Sequence, residues 1–258
     1  MKAINFKGSS YEGIRIFKPI RTLLVNITAD ATVSSDDAQK VDLRKVKLRC
    51  RLVNSKTGKT EEIIPNVDLM TLGDISTTGE GYYVYHPTKT SSVPVELNLN
   101  GSVFLDNDKY LDVEISGLPS LAVTTIFGVE DVKIDETFFM RYNKFYMSVG
   151  ELQKSFSRGD NEDLYLPVGS FREIQLNCDN GTTCVLSSEE VEYLNRKEND
   201  INSISGTLTD QDGSGSLVVA RYGLGAMAHV DLDGVRDFEI RRTTATDAME
   251  FILLDAVK

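Results

Sequence analysis

Apolar and polar residues alternate with a period of two along most of the chain, in short runs broken by clusters of Gly, Asn, Asp and Ser. Such alternation marks strands that lay one face on a core and the other toward water. The clearest run sets Val46, Leu48, Cys50 and Leu52 on one side and Lys45, Lys47, Arg49 and Arg51 on the other. The same pattern places Val95, Leu97 and Leu99 against Glu96, Asn98 and Asn100, and Leu111, Val113 and Ile115 against Asp112, Glu114 and Ser116. It continues through Ile174, Leu176 and Cys178, then Phe238 and Ile240, and finally Met249, Phe251 and Leu253. An all-β fold is predicted. Helical spacing is confined to short pieces. Ser187 opens a Ser-x-x-Glu capping box with Glu190, and Val191 and Leu194 fall three apart, which predicts a helix from Ser188 to Lys197. Weaker signals predict helical turns at Pro65–Leu72, with Pro65 in the first turn, and at Gly150–Phe156.

The helices at Ser188–Lys197 and Pro65–Leu72 each follow a hairpin, and the blocks 45–75 and 172–201 read as copies. Aligning Gly58 with Gly181 brings Thr60 onto Thr183, and a shift of one residue then pairs Leu72 with Leu194. Each block ends in Asp-Ile, at Asp74–Ile75 and Asp200–Ile201, and further strands follow, closing on the related patterns 109–116 and 248–254. The charged, turn-prone stretch Gly128–Glu136 separates the two strand-rich regions. Two domains are therefore expected, 1–132 and 133–258. The first holds 15 Lys and Arg against 17 Asp and Glu, a formal −2, and the second 13 against 22, a formal −9. Copies of one fold with such different surfaces face different surroundings.

With 258 residues, 41% of them hydrophobic, the chain can bury roughly 70–75% of its unfolded surface. No run approaches the ~20 apolar residues of a membrane-spanning helix, and the Met1–Gly8 start shows neither the charged nor the apolar region of a secretory signal. A formal charge of −11 repels phosphate and speaks against direct contact with nucleic acid. Three cysteines, Cys50, Cys178 and Cys184, are too few and too odd for a disulfide scaffold and fit synthesis in reducing cytoplasm. Cys178 and Cys184 flank a turn: they can meet across a hairpin, or stand as two buried thiols.

No motif encodes a reaction. His86 and His229 are the only two histidines, without a Gly-x-Ser-x-Gly elbow or paired His and Cys ligands, so neither a hydrolase triad nor a zinc site is indicated. No cofactor is implied, and the expectation is that the chain is not an enzyme. Asp210 and Asp212 in the stretch 210–215 resemble a fragment of a calcium loop, but without its bidentate Glu the stretch reads rather as a plain loop. Asp106 and Asp108 pose the same choice, ion site or hairpin turn. The Lys45, Lys47, Arg49, Arg51 stripe puts like charges about 7 Å apart on one strand face, which needs an anion opposite. Either an acidic strand such as that carrying Asp112 and Glu114 supplies it, or a neighbouring subunit or phospholipid head groups do. Tyr82, Tyr83 and Tyr85 can stack on sugar rings or simply pack in a sheet. The sequons at Asn26 and Asn180 carry no weight without a secretory signal.

Two antiparallel domains of like size, each with strands for an eight-stranded sandwich and a short helix after a hairpin, are what tandem jelly rolls require. This layout resembles the double jelly-roll major capsid proteins of tailless icosahedral viruses, especially the small versions in bacteriophages that enclose a membrane. The resemblance implies two jelly rolls side by side, three chains in a pseudo-hexagonal trimer, and a shell of such trimers around an internal membrane. It implies a virion protein made in host cytoplasm, whose partners are its own copies, neighbouring capsid proteins and, through the basic stripe, the membrane. The chain departs from that pattern in lacking long tower insertions and a basic or amphipathic N-terminal arm. A minor vertex or spike protein and a receptor- or glycan-binding β-sandwich module are the alternatives, and the absence of Trp weighs against glycan binding.

Overall fold

The computed structural model of the chain describes residues 4–7, 12–29, 41–77, 83–86, 90–98, 101–103, 105–119, 122–130, 134–135, 139–198, 207–212, 216–221 and 227–257. The first half runs through β1 (Ile4–Lys7), β2 (Glu12–Ile16), β3 (Thr22–Thr28), β4 (Lys47–Asn54), β5 (Thr60–Asp68), α1 (Leu69–Ser76), β6 (Tyr83–Tyr85), β7 (Thr90–Glu96), β8 (Ser102–Val103), β9 (Lys109–Ser116) and β10 (Val123–Val129). After β11 (Ile134–Asp135), which pairs with β8, come β12 (Phe139–Met147), β13 (Gln153–Ser157), β14 (Asn161–Pro167), β15 (Glu173–Cys178), β16 (Thr183–Ser187) and α2 (Ser188–Glu198). The chain closes with β17 (Thr207–Asp212), β18 (Ser216–Arg221), β19 (Met227–Asp231), β20 (Val235–Arg241) and β21 (Met249–Val257).

Strand order makes each half a jelly roll. The first roll stacks the order β1-β10-β3-β7 on β2-β9-β4-β5, and the second stacks β12-β21-β14-β19 on β13-β20-β15-β16. First and last strands lie side by side in both, so the two rolls share one topology, in which β4, β5 and α1 correspond to β15, β16 and α2. The blocks read as copies in the sequence are these equivalents. Gly58 and Gly181 both hold the hairpin turn at positive φ, +71° and +84°, where glycine alone avoids a Cβ penalty. Thr60 and Thr183 both open the returning strand. Two details differ from the sequence reading. The equivalent of β9 is β20, where Asp237-Phe238-Glu239-Ile240 matches Asp112-Val113-Glu114-Ile115, and 248–254 falls on β21 instead. Counted from the helix caps, the partner of Leu72 is Val191, and Leu194 corresponds to Ile75.

The helix capped by Ser187 forms as its box predicts: Glu190 N–H donates to Ser187 Oγ at 3.2 Å, and Ser187 N–H donates to Glu190 Oε2 at 2.8 Å. The earlier helix starts later than expected, because Asp68 is its cap and accepts from Thr71 N–H at 2.9 Å. Pro65 lies instead in β5, the edge strand of its sheet, beside a register shift between Leu48 and Cys50. A residue without an N–H is tolerated at an edge or a bulge. The stretch Gly150–Phe156 is not helical: a turn at Gly150 leads into β13, whose Phe156 stacks on Phe238 at 5.5 Å between centroids.

Alternation follows burial where a strand has one covered face, as in β3, whose Leu23, Val25 and Ile27 are wholly buried. In β21 it breaks down. Phe251 and Leu253 enter the core of the second roll, while Ile252 and Leu254 on the opposite face enter a core that belongs mostly to the first roll. A sheet covered on both sides reads as a continuous apolar run, and Phe251-Ile252-Leu253-Leu254 is that run. The second roll also reaches across by pairing: between α2 and β19 it inserts the β17–β18 hairpin, and β18 joins β6, extending the first roll's sheet.

Candidate functional site

The feature that organises the molecule is the junction between the rolls. The first roll contributes an edge made of β5, α1 and the end of β7. The second contributes the outer face of its β12-β21-β14-β19 sheet, from which Tyr142, Tyr165, Met227, Ile252 and Leu254 join the first roll's core. Register places Tyr142 opposite Leu254, and Ile252 opposite Tyr165, so these side chains share one face. Polar groups inside the joint are paired. Met140 N–H donates to Leu97 C=O at 2.8 Å and the Tyr142 hydroxyl donates to Glu96 C=O at 2.7 Å. Burial pushes the Tyr142 hydroxyl pKa upward, so it stays a neutral donor. At the rim Arg141 bridges Glu61 of β5 and Asp255 of β21, beside a groove of about 500 Å³ between β5 and β12. Burial pushes the Asp255 carboxyl upward, against the pull of Arg141.

The basic stripe lies on the outer face of the first roll's other sheet, and the chain supplies most of the anions opposite it. Arg49 stands across from Glu114 and Arg51 across from Asp112. Arg51 Nη2 lies 2.7 Å from Asp112 Oδ2 and also contacts Glu114, while Arg49 Nε reaches Glu62 Oε1 at 2.5 Å. Lys45 is exposed and has Asp42 at 3.9 Å, and Lys47 faces Asp68 and Ser116 in the ladders. The second roll carries the same two acids, Asp237 and Glu239, opposite Asn177 and Gln175. There the counter-charge comes from Arg241, which bonds Glu239, Glu173 and Gln175, and from Arg236, which bonds Asp237 at 2.8 Å.

The other sequence candidates resolve into local structure. Cys178 and Cys184 are not bonded, because register sets Cys184 opposite Leu176 and leaves Cys178 two residues off; nor are both buried, since Cys184 is exposed. Asp106 and Asp108 form the hairpin turn: Asp108 N–H donates to Asp106 Oδ1 at 3.0 Å, and Lys109 Nζ lies 3.1 Å from Asp106 Oδ2. Asp210 and Asp212 lie on β17, and 213–215 fall outside the described residues. Among the described residues, no three metal-ligating side chains gather. Tyr83 is buried, its hydroxyl donating to Asp74 Oδ1 at 2.7 Å, and half-buried Tyr85 packs against the first roll's core and donates to Val41 C=O; Tyr82 lies outside the described residues. His229 Nε2 lies 2.6 Å from Asp163 Oδ1 on the outer face of the second roll, and His86 is buried.

What the sequence reading missed is the joint itself and the apolar side chains left outside it. Val185 on β16 and Tyr193 and Leu194 on α2 are exposed, as are Phe17, Val129 and, at the β12–β13 turn, Tyr146, Val149 and Leu152. The uninterrupted apolar run in β21 was the available signal for the joint. The exposed residues give no signal, because one apolar side chain in a strand or helix reads the same whether a neighbour covers it or not.

No protein-family model matches the chain, and no curated protein matches it in sequence. Its fold does have counterparts. The STIV major capsid protein superposes with a TM-score of 0.56 at 11% identity, covering 99% of this chain and 94% of that one. The major capsid protein P2 from Bacteriophage PM2 superposes with a TM-score of 0.50 at 10% identity, covering 99% and 97%. Both are double jelly-roll proteins, and the present chain has that fold along nearly its whole length.

Proposed function

We propose that this chain is a viral structural protein, the major capsid protein of an icosahedral, internal-membrane type of virus, and that it works by self-association into trimers and a shell. The observation that carries the reading is the superposition of both rolls, over 99% of the chain, on two major capsid proteins of similar length. The architecture suits the task. Two rolls of one topology, locked by an apolar joint, give a chain two similar building units, so three chains present six similar edges for near-hexagonal packing. The proposed partners are further copies and neighbouring capsid proteins, and the proposed place is the virion, after synthesis in the host cytoplasm. Contact with an internal membrane, if it uses the basic stripe, falls to Lys45 and Lys47, since Arg49 and Arg51 are engaged by acids of their own sheet.

Purified full-length protein tests this reading by mass photometry and electron microscopy. Trimers that tile into pseudo-hexagonal arrays are expected. A chain that stays monomeric at micromolar and higher concentration, and is retained on a glycan array, overturns the reading in favour of a binding module.

A further inference from the structure

The first roll holds a cavity of about 220 Å³ where its two sheets meet, between the end of β2, the β2–β3 turn and β10. β2 ends its sheet opposite β5, so the cavity lies on the far side of the roll from the joint. Its floor is aliphatic. Ile20 and Ile126 are 2% exposed, Ile16 is half-buried, and the β10 backbone comes so close at Gly128 that a Cβ there would stand 2.7 Å from Ile20 Cγ2. At the same seam of the second roll, Phe156 lies 5.5 Å from Phe238 and 5.1 Å from Phe251 between ring centroids. Phe156 faces Phe238 in register as Ile14 faces Val113, so the first roll closes its seam with smaller side chains. Exposed Arg15, Phe17 and Lys18 stand on one side of the mouth and exposed Glu130 on the other.

The cations at this mouth are not neutralised by the chain. Asp112, opposite Arg15 in the ladder, is taken by Arg51 at 2.7 Å. Arg15 lies instead over the Tyr110 ring, 5.1 Å from its centroid, and Phe17 packs on the same ring at 5.4 Å. Such a contact holds a guanidinium in place and leaves its charge intact. Lys18 pairs with no carboxylate among the described residues. Two cations against Glu130 make the mouth net positive in a chain of formal −11. An apolar floor below a cationic mouth selects a molecule that is apolar at one end and anionic at the other. Volume sets its size: roughly seven groups of water size fit at ~30 Å³ each, which is room for one alkyl chain and not for the paired chains of a phospholipid. We propose that the cavity binds a free single-chain anionic amphiphile, a medium-chain carboxylate, with its chain against Ile16, Ile20 and Ile126 and its head group between Arg15 and Lys18. Arg15 supplies the planar fork that matches a carboxylate, and Lys18 adds a second charge. The site is separate from the joint and does not depend on self-association.

Isothermal titration of the full-length chain with decanoate, at neutral pH and below its micellar range, tests this. Binding at a single site per chain is expected, with decanol and decyltrimethylammonium weaker by about tenfold or more, as the loss of charge-assisted hydrogen bonds entails. A charge variant carrying Arg15→Ser and Lys18→Ser is expected to bind decanoate no better than decanol, while its affinity for decanol stays that of the wild type. Ile16→Phe, which fills the floor, is expected to weaken both ligands. Circular dichroism checks that each variant folds, and Ile16→Met replaces Ile16→Phe if the latter does not. Equal binding of decanoate and decanol by the wild type, undiminished decanoate binding in the charge variant, or no binding at all overturns the inference. Retention of the wild type on phosphatidylglycerol vesicles without binding of decanoate also overturns it, since the cations then serve a membrane surface. The capsid reading is tested by assembly and stands or falls apart from these outcomes.

Discussion

Three carboxyl groups of the second roll, Glu173, Asp237 and Glu190, are held below their ordinary range by the donors beside them. Arg172 and Arg241 lower Glu173, the Asn177 amide and Arg236 lower Asp237, and Ser187 lowers Glu190 through its backbone and hydroxyl. Burial does the opposite to Glu96 and Asp255, near the joint, whose carboxyls are raised. The two sets respond to acid in opposite senses. A group lowered by folding leaves the unfolded chain holding more protons, so its contribution is present above the unfolded value and is lost as pH falls through the folded one. A raised group contributes below its unfolded value and loses that contribution as pH rises through the folded one. Acidification below about 4.5, the ordinary Glu value, is therefore expected to loosen the β13-β20-β15-β16 sheet and the start of α2 before the joint. Hydrogen exchange at pH 6 and pH 3.5 reads this directly. Faster exchange at the joint than in that sheet at the lower pH is the contrary result.

At the scale of elements, α2 serves as a cover for a sheet edge. β19 ends its sheet, and an open edge strand invites pairing with another chain. Asn195 of α2 closes it: its amide donates to His229 C=O at 2.8 Å, and its carbonyl oxygen accepts from His229 N–H at 2.8 Å, as a neighbouring strand would. Eight residues after its cap, α1 has Ser76 in the same place, and Ser76 Oγ accepts from Glu96 N–H of β7 at 3.0 Å. Asn195→Ala leaves both His229 groups unpaired in a half-buried site. An expected cost of about 1–3 kcal/mol follows, measurable by urea unfolding, together with aggregation from the freed edge; unchanged stability would count against the cover. Much at this scale was legible in advance. The capping box, the repeated hairpins and the alternation of β4, β9 and β15 are local, and local chemistry is what a sequence displays. The start of α1 was not, because Asp68 competes with Pro65 for the role of initiator and only the bulge in β5 decides between them. The strand at Gln153–Ser157 was hidden because its core contact is a single aromatic, Phe156, in an otherwise polar run.

At the scale of the whole molecule, the joint decides whether the rolls behave as two domains or one. Domains joined by a small polar interface move and unfold separately, whereas a large apolar one couples them. Here the core of the first roll is completed by Tyr142, Tyr165, Met227, Ile252 and Leu254 of the second, and the sheet that carries them also lines the second core. Loosening β21 therefore strips both cores at once, through Ile252 and Leu254 on one face and Phe251 and Leu253 on the other. Calorimetry of the wild type is expected to show one transition, with van't Hoff and calorimetric enthalpies in agreement. Leu254→Ala removes a buried side chain at a cost of about 2–5 kcal/mol and lowers that single transition. Leu254→Asp, which buries a charge against the first roll, is expected to split it in two, with the second roll melting on its own. That split distinguishes a joint that couples the rolls from one that merely touches them, because a peripheral contact leaves two transitions in the wild type and moves neither when Leu254 is changed.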